Sequence, residues 1–137
     1  MPPAEAIRVL IADDSPTALR SVCEYLEFAG GFEIVGTASD GLNAVQLASL
    51  KKPDLVLLDL SMPRVNGLEA AEQIRLSSPD LRVIIFSELH GLSLADECRR
   101  HGADSFVSKN LLPEGLLLEI QRLFTRARSQ EADTQKN

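Results

Sequence analysis

The 137-residue chain contains no tryptophan, one tyrosine and two cysteines. Cys23 and Cys98 lie far apart in the sequence and belong to no Cys/His cluster, so neither a zinc site nor a disulfide framework is indicated. We expect both thiols to act as small core hydrophobes. No uncharged apolar run approaches the roughly 18 residues of a membrane-spanning helix, and residues 1–5 do not resemble a signal peptide. These absences predict a cytoplasmic protein that does not bind membranes.

Positive charge is also scarce. The 14 Lys and Arg residues are outnumbered by 20 Asp and Glu residues, which gives a formal net charge of −6. Because this field repels polyanions, we do not expect direct binding to nucleic acid. The length predicts one domain with a hydrophobic core, which we place at residues 1–128. Residues 129–137 are polar and aperiodic and are expected to form a frayed tail.

Five hydrophobic segments of strand length alternate with five segments of helical periodicity. The predicted strands are Ile7–Ala12, Phe32–Thr37, Leu55–Asp59, Arg82–Ser87 and Ser105–Ser108. The predicted helices begin near Pro16, Asp40, Asn66, Ser93 and Pro113. Since parallel strands need right-handed crossovers, this alternation predicts an α/β fold. The simplest solution is a doubly wound, five-stranded parallel sheet of order 2-1-3-4-5 with helices on both faces, a flavodoxin-like arrangement.

The functional site of such a sheet lies beyond the carboxyl ends of its strands. There the first strand leads to Asp13 and Asp14, the third to Asp59, the fourth to Ser87 and the fifth to Lys109. Singly, each could be a helix cap, a turn residue or a solvated charge. Together, three carboxylates in one crevice repel by about 1–4 kcal/mol per close pair, so a cation is expected. Oxygen ligands without His or Cys favour Mg²⁺, and the set suits phosphoryl transfer onto an aspartate.

Other phosphate-handling sites lack their key residues. No glycine follows the first strand, where a dinucleotide-binding fold would place GxGxxG and a P-loop would place GxxxxGK[ST]. Asp59 is followed by Leu60 and Ser61, whereas a phosphatase of the haloacid dehalogenase type needs a second aspartate two residues after its nucleophile. These three enzyme classes are therefore not expected.

Several short segments, in this order and spacing, resemble the receiver domain of two-component response regulators over about residues 7–124. They are Ile11–Ser15, Leu57–Pro63, Asn66–Gly67, Ile85–Ser87, and Gly102–Asp104 leading to Lys109. The resemblance implies a phosphoacceptor signalling protein rather than an enzyme. Its phosphoryl group would come from a sensor histidine kinase, a phosphotransfer protein or a small phosphodonor.

The resemblance also implies a metal site and a phosphoacceptor. Asp59 would take the phosphoryl group. Mg²⁺ would be held by the carboxylates of Asp13, Asp14 and Asp59 and by the backbone carbonyl of Ser61.

Switching residues follow from the same resemblance. Lys109 would pair with the bound phosphoryl group, and Ser87 would turn its hydroxyl towards it. Phe106 matches the aromatic position whose rotamer follows that movement, or it is an ordinary half-buried strand residue.

Two positions depart from the common pattern. Asn110 replaces proline, and Glu88 stands where the family usually has a small residue, so its carboxylate could restrict access to the site or compete for Lys109.

Three functions remain open. The leading interpretation is a stand-alone receiver that switches a surface for an unknown output protein, with phosphorylation-dependent dimerisation possible, or that relays phosphate. The second is the receiver portion of a longer DNA-binding transcriptional regulator. The third is a degenerate receiver acting as a constitutive interaction module, which only Glu88 favours.

Overall fold

A computed structural model describes residues 6–89, 91–111 and 113–136. The strands are β1 (Ile7–Ala12), β2 (Phe32–Ala38), β3 (Leu55–Asp59), β4 (Arg82–Ser87) and β5 (Ser105–Ser108). The helices are α1 (Pro16–Ala29), α2 (Gly41–Lys51), α3 (Gly67–Ser77), α4 (Leu92–Arg100) and α5 (Glu114–Lys136). A short 3₁₀ turn, Lys109–Leu111, follows β5. Strands and helices therefore alternate as the sequence predicts.

The five strands form one parallel sheet in the order β2-β1-β3-β4-β5. All five residues of the central strand β3 are buried. This explains why its sequence is a continuous hydrophobic run, since helices cover both faces of the sheet at that position. The predicted fold class and strand order are confirmed.

Two hydrophobic layers stabilise the sheet, one on each face. Alternate strand residues such as Leu58 pack against α2, α3 and α4, and Cys98 of α4 is fully buried in this layer. Neighbouring residues such as Leu57 point the other way, where they meet α1 and α5. Cys23 of α1 lies half-buried against this second layer. Both cysteines thus occupy the hydrophobic positions expected of them.

The first three helices begin at polar side chains that accept a hydrogen bond from the first turn. Ser15 caps α1 and is followed by proline at the first helical position, Asp40 caps α2, and Asn66 caps α3. Such caps satisfy amide groups that have no partner inside the helix. Because Ser15 directly follows Asp13 and Asp14, the cap of α1 also fixes the turn that carries these two residues.

Helix α5 differs from the sequence-based expectation, because it continues to Lys136. Residues 129–136 were expected to be a frayed tail, and this expectation is wrong for their backbone. The segment lacks glycine and proline and contains good helix formers such as Gln130, Glu131 and Ala132, so it can extend the preceding helix. The division of the chain at residue 128 remains a prediction.

Within the part of the chain that the structure describes, no helix is long and apolar enough to span a bilayer.

Candidate functional site

Three aspartates meet at the carboxyl ends of β1 and β3. Asp13 and Asp59 are buried, with 1% and 6% of their surface exposed, and Asp14 is exposed. One carboxylate oxygen from each residue lies within 4.8 Å of the other two. Among the residues described here, this is the one cluster of three potential metal-binding side chains. The structure therefore brings together the carboxylates that the sequence placed at separate strand ends.

Lys109 enters the same crevice from the end of β5. Its Nζ lies 3.1 Å from Asp13 Oδ2 and 3.4 Å from Asp59 Oδ1. The same nitrogen is 5.2 Å from the centroid of the Phe86 ring, within the range of a cation–π contact. Burial tends to lower the pKa of Lys109, but the hydrogen bond to Asp13 and the charges of both carboxylates outweigh it and raise the pKa. Lys109 is therefore cationic and compensates part of the negative charge.

Asp59 remains poorly compensated despite this lysine. Burial and then the charge of Asp13 raise its pKa from 3.8 to about 6, and the opposing effect of Lys109 is smaller. A raised carboxyl pKa means that the surroundings disfavour the ionised form. Additional positive charge in the crevice would therefore favour the carboxylate of Asp59.

The turn after β1 orients Asp13. Its Oδ1 accepts a hydrogen bond from the backbone N–H of Ser15 at 2.9 Å, while its Oδ2 accepts one from Lys109. Both oxygens of Asp13 are thus held in place. Asp14, the next residue, is left exposed at the mouth of the crevice.

Ser87 lies at the end of β4 and is buried, with 3% of its surface exposed. Its Oγ accepts a hydrogen bond from the backbone N–H of Leu89 at 3.1 Å. This contact ties the serine to the loop before α4, and no sequence pattern indicated it. Phe106 pairs in register with Ile85 of β4 and is half-buried against the layer formed by α2, α3 and α4.

Glu88 is exposed beside Ser87. Among the residues that the structure describes, Lys109 forms ion pairs with the carboxylates of Asp13 and Asp59. The expected competition of Glu88 for Lys109 is therefore not observed, because two buried carboxylates are better placed than an exposed one. Its effect on access to the crevice stays a prediction.

The loop between β3 and α3 contains Ser61, which is exposed. The backbone N–H of Gly67 closes the loop by donating to the carbonyl of Leu60 at 2.9 Å. A Cβ at Gly67 would lie 2.6 Å from the carbonyl oxygen of Asp59. Glycine is required here because α3 begins directly against the end of β3. The sequence motif contained this glycine, but only the structure shows this close contact.

A family model for the response regulator receiver domain matches residues 9–121 of this chain. The chain belongs to the response-regulator receiver family. The acidic crevice of this receiver lies at the carboxyl ends of β1 and β3, the edge at which a parallel sheet is expected to carry its site.

Similar proteins include two bacterial regulators. The receiver is 35% identical to the nitrate/nitrite response regulator protein NarL of Escherichia coli K12 over 118 residues, 86% of this chain and 55% of NarL. It is 36% identical to the transcriptional regulatory protein PdtaR of Mycobacterium tuberculosis H37Rv over 121 residues, 88% of this chain and 58% of PdtaR. The chain spans about half the length of these curated relatives.

A solved structure of similar fold is the CheX–CheY–BeF₃–Mg²⁺ complex from Borrelia burgdorferi. The matched chain has a TM-score of 0.80 and 31% sequence identity, and the match covers 86% of this receiver and 89% of that chain. A receiver-domain structure of the putative response regulator NarL from Mycobacterium tuberculosis has a TM-score of 0.82 at 28% identity and covers 87% of this chain and 96% of that one. The matches to these structures therefore cover 86% and 87% of this chain.

Proposed function

We propose that this receiver accepts a phosphoryl group on Asp59 and signals through the resulting change in its surface. The observation that carries the proposal is the placement of the buried Asp59 carboxylate 3.4 Å from the ammonium group of Lys109, which also contacts Asp13. A carboxylate oxygen of Asp59 would attack the phosphorus atom and form a new P–O bond. The bond from phosphorus to the donor breaks, and the donor nitrogen or oxygen leaves with the electron pair.

We also assign a Mg²⁺ site to the crevice. Asp13, Asp14 and Asp59 offer hard oxygen ligands within 4.8 Å of one another, which fits this cation, and we propose the backbone carbonyl of Ser61 as the fourth protein ligand. The Borrelia complex, whose name includes Mg²⁺, supports the assignment. Bound there, Mg²⁺ would neutralise charge on the carboxylates and on the incoming phosphoryl group.

Two alanine variants distinguish ligands from residues that act later. Asp14→Ala is expected to weaken Mg²⁺ binding by about tenfold or more, because a carboxylate ligand is lost. Ser87→Ala should bind Mg²⁺ like the wild type, since its hydroxyl is assigned to the phosphoryl group and not to the metal. Titration with Mg²⁺ alone, followed by amide NMR shifts, measures both affinities. Equal losses in the two variants would contradict these assignments.

The switch would involve Lys109, Ser87 and Phe106. The bound phosphoryl group carries a charge of about −1.5 to −2. Lys109 would turn from Asp13 and Asp59 towards it. The Ser87 hydroxyl would donate a hydrogen bond to a phosphoryl oxygen. Its movement would also shift the loop before α4, because the N–H of Leu89 in that loop donates to Ser87. Such local changes can bias a surface between two states.

The surface expected to change is formed by α4, β5 and α5. Ser87 and Lys109 lie at the ends of the strands beside it, and Phe106 lies within β5. Phosphorylation is therefore expected to shift backbone amide NMR signals across residues 93–124. Shifts restricted to the immediate neighbours of Asp59 would contradict a surface switch.

The partners follow from this role. We propose that a sensor histidine kinase or phosphotransfer protein in the cytoplasm supplies the phosphoryl group, and that an output protein or a second phosphorylated receiver binds the changed surface.

A second candidate function is favoured by one observation, since NarL and PdtaR are regulators of which this chain matches 55% and 58%. In that case the receiver would control an attached DNA-binding domain. A helix-turn-helix coding region directly after residue 137 would decide for this candidate.

The test of the proposed function is the intact mass of the protein after incubation with a small phosphodonor. With Mg²⁺, we expect the mass to increase by one phosphoryl group. With a chelator in place of Mg²⁺, the increase should be strongly reduced. No increase under either condition, from protein shown to be folded, would overturn the proposal and favour the constitutive interaction module.

Glu88 is expected to slow phosphorylation by anionic donors. Its exposed carboxylate is adjacent to Ser87 and adds negative charge where the donor approaches. If about 1 kcal/mol of repulsion remains after solvent screening, Glu88→Ala accelerates phosphorylation roughly fivefold. High salt should narrow this difference because it screens the charge. Rates equal to the wild type at both low and high ionic strength would show that Glu88 does not control access.

A further inference from the structure

The beginning of α2 touches the loop that follows Asp59. Gly41, the first residue of α2, is buried against Val65. A Cβ added at Gly41 would lie 2.5 Å from the carbonyl carbon of Val65 and 2.9 Å from its Cβ. The carbonyl oxygen would be closer still, and backbone cannot move aside as a flexible side chain can. The position thus admits glycine alone without a shift of the loop.

The loop held by this contact is tightly constrained. At its base, the N–H of Gly67 donates to the carbonyl of Leu60. Near its tip, Arg64 has a φ of 67°, a left-handed conformation that costs energy for a residue with a side chain. The N–H of Val65 donates to the carbonyl of Pro63 at 2.9 Å. Strained backbone persists only where surrounding contacts hold it, and the start of α2 provides such a contact.

Charge adds a second link between α2 and the loop. Asp40 caps α2 by accepting from the N–H of Asn43, and its other carboxylate oxygen lies 3.8 Å from Nε of Arg64. Arg64 is largely exposed, so this ion pair is weak. The close backbone contact at Gly41 is therefore the stronger restraint on the loop.

From these contacts we infer that Gly41 is a positioning residue for the metal site. The inference rests on the proposed function, in which the backbone carbonyl of Ser61 binds Mg²⁺. Ser61 lies between the closure at Leu60 and the contact at Val65, so its carbonyl has little freedom to adjust independently. A methyl group at Gly41 displaces Val65, and the displacement passes along the short loop to Ser61. Groups that orient metal ligands from outside commonly change metal affinity by about 10–100-fold.

A matched pair of glycine variants tests the inference. Gly41→Ala introduces the clash with backbone. Gly36→Ala, on β2, adds the same methyl group 3.3 Å from Leu10 Cδ1 and 3.8 Å from Leu47 Cδ1, which are the ends of flexible side chains. Both variants and the wild type are titrated with Mg²⁺ alone and followed by amide NMR, and their thermal unfolding is compared. The rate of phosphorylation by a small phosphodonor is then measured against Mg²⁺ concentration.

We expect Gly41→Ala to bind Mg²⁺ about tenfold more weakly than the wild type and Gly36→Ala to bind it normally. High Mg²⁺ should restore phosphorylation of Gly41→Ala, because Asp59 itself is unchanged. An affinity for Mg²⁺ equal to that of the wild type overturns the inference, as does an equal loss in both variants. If Gly41→Ala does not fold, Val65→Gly decides, since it removes the Cβ that faces Gly41 and frees the backbone there without a clash: weaker Mg²⁺ binding supports the inference and unchanged binding overturns it. A wild-type protein that binds Mg²⁺ and takes up no phosphoryl group overturns the proposed function but not this assignment.

Discussion

Asp59→Asn is expected to abolish phosphorylation. The neutral amide is a far weaker nucleophile than the carboxylate, and the neighbouring carboxylates of Asp13 and Asp14 are assigned to the metal ion. Removing a nucleophile should reduce the rate by more than about 100-fold. The gain of mass with a small phosphodonor and Mg²⁺ measures the effect.

Asp80→Asn is the matched control for this variant. It makes the same chemical change at an exposed position between α3 and β4, outside the crevice, and should be phosphorylated like the wild type. If Asp59→Asn gained one phosphoryl group at the wild-type rate, the phosphoacceptor would be another residue.

The same Asp59→Asn substitution is expected to stabilise the metal-free protein near neutral pH. Burial and the charge of Asp13 raise the pKa of Asp59 from 3.8 to about 6. The folded state therefore favours the protonated acid, and ionisation at pH 7 costs about 3 kcal/mol of stability. Asparagine has nearly the same shape and no charge, so it avoids this cost.

Because the pKa of Asp59 is raised in the folded state, the difference in stability between Asp59→Asn and the wild type depends on pH. Well below pH 3.8 the carboxyl is protonated in both the folded and the unfolded chain, and the variant has little advantage. As the pH rises from about 4 through about 6, the unfolded chain ionises first and the wild type loses stability relative to Asp59→Asn. Urea unfolding of both proteins in chelator, at pH 4 and at pH 7.5, measures the difference. An equal difference at the two pH values would contradict the raised pKa of Asp59.

Mg²⁺ should reverse this advantage. A cation bound at the three carboxylates stabilises the folded wild type by mass action and removes the cost of ionising Asp59. The wild type is therefore expected to gain more stability from Mg²⁺ at pH 7.5 than Asp59→Asn does. The carboxylates that destabilise the metal-free protein would then be the groups that bind the cation.

The fold could be predicted because its signals are local. Buried strands such as β3 are continuous hydrophobic runs, and the helices after β1 and β3 begin at Ser15 and Asn66, which are strong capping residues. The C-terminal segment was predicted wrongly for a related reason. It lacks a hydrophobic stripe but also lacks any residue that would end a helix, and the absence of periodicity is a weaker signal than a glycine or proline.

The convergence of the aspartates and Lys109 could also be predicted, because parallel strands place their carboxyl ends at one edge. Finer contacts could not. The hydrogen bond from the Leu89 N–H to Ser87 depends on the path of an exposed loop, and the contact of Gly41 with Val65 joins residues that are distant in the sequence. Such contacts arise only when helices and loops pack, and hydrophobic periodicity does not predict them.

The central claim is that Asp59 is the phosphoacceptor, and chemical trapping tests it most directly. Borohydride reduces an aspartyl phosphate to homoserine, so peptide mass mapping after phosphorylation and reduction identifies the modified position. We predict homoserine at position 59 in protein treated with phosphodonor and Mg²⁺, and unmodified aspartate there when a chelator replaces Mg²⁺. Conversion of Asp13 or Asp14 in place of Asp59, or a phosphoryl group on any other residue, would contradict the account.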